Sequence, residues 1–194
     1  MKKIILASAS PRRKEILGRT GLKFSVRSSN YKENLKIKME PGKLARYLSR
    51  KKAEAVAHNC GNALIIAADT FIVVDGRVLG KPRSLKDAEQ MLKKLSGRSH
   101  RVITGFTILD TETQKSLSRS VSTTVYFKEL SREDILAYIR TGEPLDKAGA
   151  YAIQGIGAVL IEKISGDLSN VIGLPLAALM ESLKKFGIDV LDSQ

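Results

Sequence analysis

The sequence predicts an α/β fold. Strand-like apolar runs alternate along the chain with amphipathic helical segments. The most apolar run, Leu64-Ile65-Ile66-Ala67-Ala68, has the length and composition of a strand buried on both faces. Two longer segments, His100–Leu109 and Lys115–Phe127, are joined by only five residues, Asp110-Thr111-Glu112-Thr113-Gln114, which predicts an antiparallel pair.

Taken in order, Lys3–Ala7 reads as the first strand, and Ser10-Pro11 as a helix start with a hydroxyl N-cap and proline at the first helical position. That helix carries Arg12 and Arg13 in its first turn and ends near Thr20-Gly21. Leu22–Ser28 reads as a second strand, and Ser29–Lys38, with Glu33 in it, as a polar connection. Pro41 opens a long helix whose apolar face is Leu44, Leu48 and Val56 with the small residues Ala45 and Ala55, and Lys52 falls on or beside that face. A lysine so placed either snorkels or meets an anion. The run Leu64–Ala68 ends on Asp69-Thr70, which puts a carboxylate at a strand tip. Phe71–Val74 then meets the tight-turn signal Asp75-Gly76 and returns through Arg77–Gly80 to Lys81-Pro82. Asp69 is read either as a turn residue with a solvated Lys81 or as a functional carboxylate with a lysine returning beside it. Ser84 caps a helix with Leu85, Ala88, Met91, Leu92 and Leu95 inward. Ser131 caps another with Ile135, Leu136 and Ile139 inward. Gly142–Gly157 is a glycine-rich loop, Ala158–Ile164 a strand, Ser165–Gly173 a polar connection, and Pro175 opens the last helix.

Composition narrows the function classes. The 194 residues fit one large domain or two small lobes, 43% hydrophobic content is enough for a core, and no run approaches the length needed to span a bilayer. The apolar start of the chain is broken by Pro11-Arg12-Arg13-Lys14, so export is not expected. One cysteine, Cys60, excludes an internal disulfide and fits a cytoplasmic protein, and two histidines are too few for a His/Cys zinc site. The formal net charge is +13, and sixteen of the 33 Lys and Arg residues lie in 1–52 against three acids. That asymmetry favours a phosphate-bearing small molecule or a nucleic acid over a merely solvated surface. The absence of tryptophan and only 5% aromatic content argue against a dedicated nucleic-acid module.

The first strand feeding a helix N-terminus, with Ser8, Ser10, Arg12 and Arg13 in the turn, reads as an anion site. Backbone N–H groups and hydroxyls donate to phosphate oxygens, and arginine grips them in bidentate fashion. Gly155-Ile156-Gly157 precedes a strand instead of following one, so it is not a dinucleotide fingerprint. Neither a GxxxxGK[ST] nor a GxSxG motif occurs.

Five motifs, LASASPRR (6–13), AADTFIVVDGRVLGKP (67–82), LSGRSHRVITG (95–105), DKAGAYAIQG (146–155) and SNVIGLPL (169–176), together resemble the Maf family of nucleotide pyrophosphatases. The resemblance covers nearly the whole chain and implies one Maf-like domain over 1–194. The implied fold is an elongated mixed β-sheet flanked by helices, with two lobes and a cleft between them, related to the inosine-triphosphate pyrophosphatases. It implies hydrolysis of a nucleoside triphosphate to monophosphate and pyrophosphate, assisted by Mg²⁺ or Mn²⁺. By motif position, Ser8, Arg12 and Arg13 hold the triphosphate, and Lys52 and Lys81 neutralise its charge. Asp69 is the proton acceptor or a metal ligand, and Glu33 assists the metal. Arg12, Thr70 and Gln154 set the base. Tyr151-Ala152-Ile153-Gln154-Gly155 is similar to the subfamily acting on dTTP and UTP, whereas the 7-methyl-GTP subfamily resembles Ser-Glu at Ile153-Gln154. An amide offers the donor and acceptor that a thymine or uracil edge requires. The alternative for Gln154 is a loop amide pinning its own backbone. The family also implies a homodimer and a link to septum formation. The competing reading is a binding protein, either a cell-division regulator or a nucleic-acid binder.

Overall fold

The computed structural model describes residues 2–32 and 37–191. Its elements are β1 (Lys3–Leu6), α1 (Pro11–Gly18), β2 (Ser25–Val26), α2 (Pro41–Ala57), β3 (Ala63–Val74) and β4 (Arg77–Leu79), then α3 (Leu85–Leu95), β5 (Ser99–Asp110), β6 (Ser116–Phe127), α4 (Arg132–Arg140), β7 (Ile161–Ser165), α5 (Leu168–Ile172) and α6 (Leu176–Lys184). The seven described strands form one sheet in the order β2-β1-β3-β5-β6-β7, with β4 paired to β3. Strand β1 runs parallel to both neighbours, with Leu6 level with Val26 and Ile66. Strands β3 and β4, and β6 and β7, are antiparallel. The sheet is therefore mixed, as the α/β reading requires. Parallel neighbours need crossover connections, which α1 and α2 supply, while the short link after Asp110 joins β5 to β6 as an antiparallel hairpin.

Strand β3 departs from expectation. Asp69-Thr70 does not end it: the strand runs unbroken from Ala63 to Val74, and Asp69 sits in its interior. A lone buried carboxylate would break such a strand, and this one is tolerated because a lysine pairs with it. The turn after it is as read, with Asp75 at φ 49° and Gly76 at φ 73°, the two positive φ values of a type I′ hairpin. The second strand is only Ser25–Val26, both exposed, because it lies at the sheet edge. Residues 156–160 form a 3-10 turn ahead of β7, and the polar connection 165–173 contains α5, whose first turn is capped by Asp167. On α2 the buried alanine besides Ala45 is Ala53, while Ala55 is exposed. Tyr138 joins Ile135 and Ile139 on the buried face of α4, and Leu136 is half-buried. The Ser84 and Ser131 caps form as read, but the Ser10 hydroxyl makes no cap hydrogen bond.

The chain divides into two compact units. One comprises Met1–Asp69, Thr104–Val121 and Gly173–Gln194, and the other Thr70–Ile103 and Ser122–Ile172. In the first, a core of Ile5, Ala7, Ala53, Val56, Ala63, Ile65, Ala67 and Leu109 seats α2 on β1, β3 and β5. In the second, α3 and α4 pack through Leu92, Leu95, Ile135 and Ile139 onto Ile72, Val102, Val125 and Phe127. No described helix is long and apolar enough to cross a membrane.

His100 lies within the second core at 3% exposure, edge-on to Phe127 and Tyr151, its Nε2 2.7 Å from the Tyr151 hydroxyl. Its buried Nδ1 has no hydrogen-bond partner among the described residues. Burial lowers the imidazole from 6.5 to about 4. The unfolded chain therefore takes up a proton as pH falls through 6.5, whereas the folded chain does so only near 4. Stability present above pH 6.5 is lost as pH falls across that window, by about 2–3 kcal/mol between pH 7.5 and 4.5. Urea unfolding at the two values should show this loss, and His100→Gln should shrink it. An equal loss in the variant would assign the pH dependence to other groups.

Candidate active site

The first unit assembles a charged cluster from three elements. Helix α2 crosses β5 at contact distance. A Cβ built on Gly105 would lie 2.2 Å from the Ala45 carbonyl carbon, so only glycine lets the two backbones approach. One turn along α2, the buried Ser49 hydroxyl meets Thr107 Oγ1 at 2.8 Å, and Thr107 continues the chain of hydroxyls to Ser118. One further turn brings Lys52 over β3. Its Nζ donates to Asp69 Oδ1 at 2.7 Å, with Lys52 8% and Asp69 5% exposed. Lys52 thus meets an anion and does not snorkel, and Asp69 is not a turn cap.

The turn after β1 forms the second part. The Ala7 amide donates to Ile66 O, so Ser8 leaves β1 beside the Ala67–Asp69 stretch of β3. Ser8 is buried, and its Oγ accepts from the Ser10 amide at 3.2 Å and from Arg13 Nη1 at 3.4 Å. Arg13 Nε also donates to Gly173 O at 2.8 Å, which fixes the guanidinium across the turn. Arg12 is half-buried, and among the described residues its side chain makes no hydrogen bond or ion pair. Among the described residues, Arg12, Arg13 and Lys52 stand against the Asp69 carboxylate beside the carboxyl end of the parallel strand β1, where open α/β sheets bind ligands. Such a cluster attracts an anion.

Thr70, Lys81 and Gln154 belong to the second unit. Thr70 follows Asp69 along β3 and is half-buried. Lys81 is exposed just past β4, and its ammonium has no partner among the described residues. The Gly80 carbonyl before it accepts from the Gly149 amide at 2.9 Å. Gln154 is half-buried, and its side chain makes no hydrogen bond among the described residues, so it does not pin its own loop. Glu33 lies outside the described residues. Sequence reasoning missed Ser49 and Gly105. Ser49 lies three residues before Lys52 on one helical face, and Gly105 stands inside a strand, a recognised mark of close backbone approach.

Known proteins resemble this chain over nearly its whole length. The family model for Maf-like proteins matches residues 3–186. A dTTP/UTP pyrophosphatase of Methanosarcina mazei is 51% identical over 193 residues, covering 99% of this chain and 98% of that protein. One of Methanosarcina barkeri is 50% identical over the same length with the same coverage. One of Caldicellulosiruptor saccharolyticus is 46% identical over 198 residues, covering all of both chains. The solved structure of the Staphylococcus aureus Ham1 protein is a distant likeness, with 16% identity, TM-score 0.49, and coverage of 82% of this chain and 80% of that one. With the family model matched from the first strand to the last helix, and relatives near half identity end to end, the chain belongs to the Maf family.

Proposed function

We propose that this protein hydrolyses dTTP and UTP at the α–β phosphoanhydride link, giving the nucleoside monophosphate and pyrophosphate. The observation that carries the reading is the buried Lys52–Asp69 pair beside the Ser8–Arg13 turn. A carboxylate inside an apolar strand, facing a cluster rich in cations, suits proton acceptance next to a bound polyphosphate. The names of the relatives support the substrate.

In this reading Ser8, Arg12 and Arg13 grip phosphate oxygens, and Arg13 comes preset by its bonds to Ser8 and Gly173. Asp69 takes the proton of the water whose oxygen bonds to phosphorus as the bridging P–O bond breaks. Lys52 and Lys81 neutralise the charge gathering on the departing pyrophosphate. Among the described residues no group of three or more His, Cys, Asp or Glu side chains is placed to hold a metal. One carboxylate does fit a hard divalent ion that takes its other ligands from substrate phosphates and water, the habit of Mg²⁺ and Mn²⁺. Asp69, with Glu33, would hold such an ion, which supplies charge neutralisation on the phosphate oxygens when bound. Gln154, unengaged by protein among the described residues, reads the pyrimidine edge with one donor and one acceptor, and Arg12 and Thr70 complete the base selection. A single domain over 1–194 is supported by the family match. A cytoplasmic homodimer is included on the family resemblance and the lone cysteine.

Pyrophosphate release from the eight common nucleoside triphosphates, 7-methyl-GTP and 5-methyl-UTP, each with Mg²⁺ and with Mn²⁺, tests the reading. Preferred turnover of dTTP and UTP is expected. Preference for 7-methyl-GTP would keep the chemistry and reject the role of Gln154. Absence of turnover, with tight salt-dependent binding of nucleic acid, would move the protein to the binding class.

A further inference from the structure

The loop that carries Gln154 is an arch with both feet fastened to one pair of side chains. At the first foot the Ala152 amide donates to the Tyr138 hydroxyl at 3.2 Å. That hydroxyl in turn donates to Glu143 Oε1 at 2.9 Å. At the second foot Glu143 accepts from the Gly157 amide at Oε1 and from the Ile156 amide at Oε2, both at 3.0 Å. The feet also touch: a Cβ on Gly157 would lie 2.5 Å from both the Ala152 carbonyl oxygen and the Tyr138 hydroxyl. Tyr138 is anchored in the second core at 3% exposure, so one half of the clamp stands on α4, and the other half, Glu143, sits at the start of the Gly142–Gly157 loop. Between the feet, Ile153 and Gln154 are half-exposed.

We infer that Tyr138 and Glu143 are positioning residues for base discrimination, closing the arch Ala152–Gly157 so that Gln154 is presented at its crown in one orientation. This rests on the reading of Gln154 as the base-contacting residue. A free amide reads hydrogen-bond polarity only if its orientation is fixed, because rotation exchanges its donor for its acceptor. Gln154 takes no orientation from its own hydrogen bonds among the described residues, so the order must come from the backbone beneath it. The clamp supplies that order. Glu143 remains a strong acceptor throughout the neutral range: burial pushes its pKa up, but the Gly157 amide, the Tyr138 hydroxyl and the Ile156 amide outweigh this and hold it below the ordinary value.

The test compares UTP with CTP, which differ in the polarity of the edge being read, in Tyr138→Phe, Glu143→Gln, Gln154→Ala and the double variant Tyr138→Phe/Gln154→Ala. Each clamp variant should lower the UTP-over-CTP ratio of kcat/KM by about tenfold through KM, with kcat for UTP kept within about threefold. Gln154→Ala should lower it at least as far, and adding Tyr138→Phe to it should change the ratio no further, since the clamp acts only through Gln154. Assays at a temperature where thermal melts show each variant folded keep stability out of the comparison. Should Gln154→Ala lose discrimination while both clamp variants retain it, the clamp inference fails and the Gln154 reading stands. If Gln154→Ala retains discrimination, the Gln154 reading fails and takes the clamp with it. A uniform fall in kcat for both nucleotides would make the pair merely structural and overturn the inference.

Discussion

Asp69→Asn lowers dTTP turnover by on the order of 10³-fold while the protein stays folded, as the loss of a positioned proton acceptor predicts. The substitution preserves volume in a packed strand, and the amide oxygen still accepts from Lys52 Nζ, now 2.7 Å from Asp69 Oδ1. It also takes away the carboxylate charge that faces the buried Lys52 ammonium. Breaking a buried pair from one side costs about 3–5 kcal/mol, and the surviving hydrogen bond places Asp69→Asn at the lower end of that range. Activity and stability therefore fall together in the single variant and must be separated. Lys52→Met/Asp69→Asn removes both charges and should recover most of the lost stability in urea unfolding, without recovering turnover. Near-normal turnover by the folded single variant would remove Asp69 from the chemistry. Recovery of turnover in the double variant would mean that stability alone had been at stake.

What could be read beforehand followed from the range of the interaction concerned. Local signals held: Asp75-Gly76 makes its turn, Ser84 and Ser131 cap their helices, and the apolar run around Ile65 is a buried strand. Helical periodicity placed Lys52 against the core, but periodicity ends at the helix surface and cannot name what lies across from it. The partner proved to be Asp69, 17 residues on, and that contact is what lets β3 continue where a charge suggested a strand end. The Ser10 hydroxyl forms no cap, and the hydroxyl engaged at this turn is that of Ser8, two residues earlier, which accepts from the Ser10 amide and from Arg13. The clamp of Tyr138 and Glu143 was hidden most completely. Tyr138 looks like ordinary helix core and Glu143 like loop charge, and only the folded chain bonds them to each other and to opposite feet of one arch.

Gly105→Ala should be the most damaging single-methyl change in the first unit. The added carbon would lie 2.2 Å from the Ala45 carbonyl carbon, 2.3 Å from its oxygen and 2.6 Å from the Arg46 nitrogen, where ordinary contact begins at 3.4 Å. All three atoms are backbone, so no side-chain rotation relieves the clash, and α2 must lift off β5 by about 1 Å or more. Overpacking of this kind costs about 3 kcal/mol, the upper part of its usual range. The lift also draws Ser49 from Thr107 and, one turn on, Lys52 from Asp69. A displacement of about 1 Å at a charge acting on the reaction costs on the order of 10² in rate. Turnover should thus fall by about that factor even at a temperature where unfolding curves show the variant fully folded. Gly61→Ala, whose added carbon has no atom within 4 Å, should leave both stability and rate close to those of the parent. If folded Gly105→Ala keeps its rate, Lys52 finds Asp69 without help from the helix seat, and the reach of a flexible lysine, not the register of α2 on β5, sets the pair.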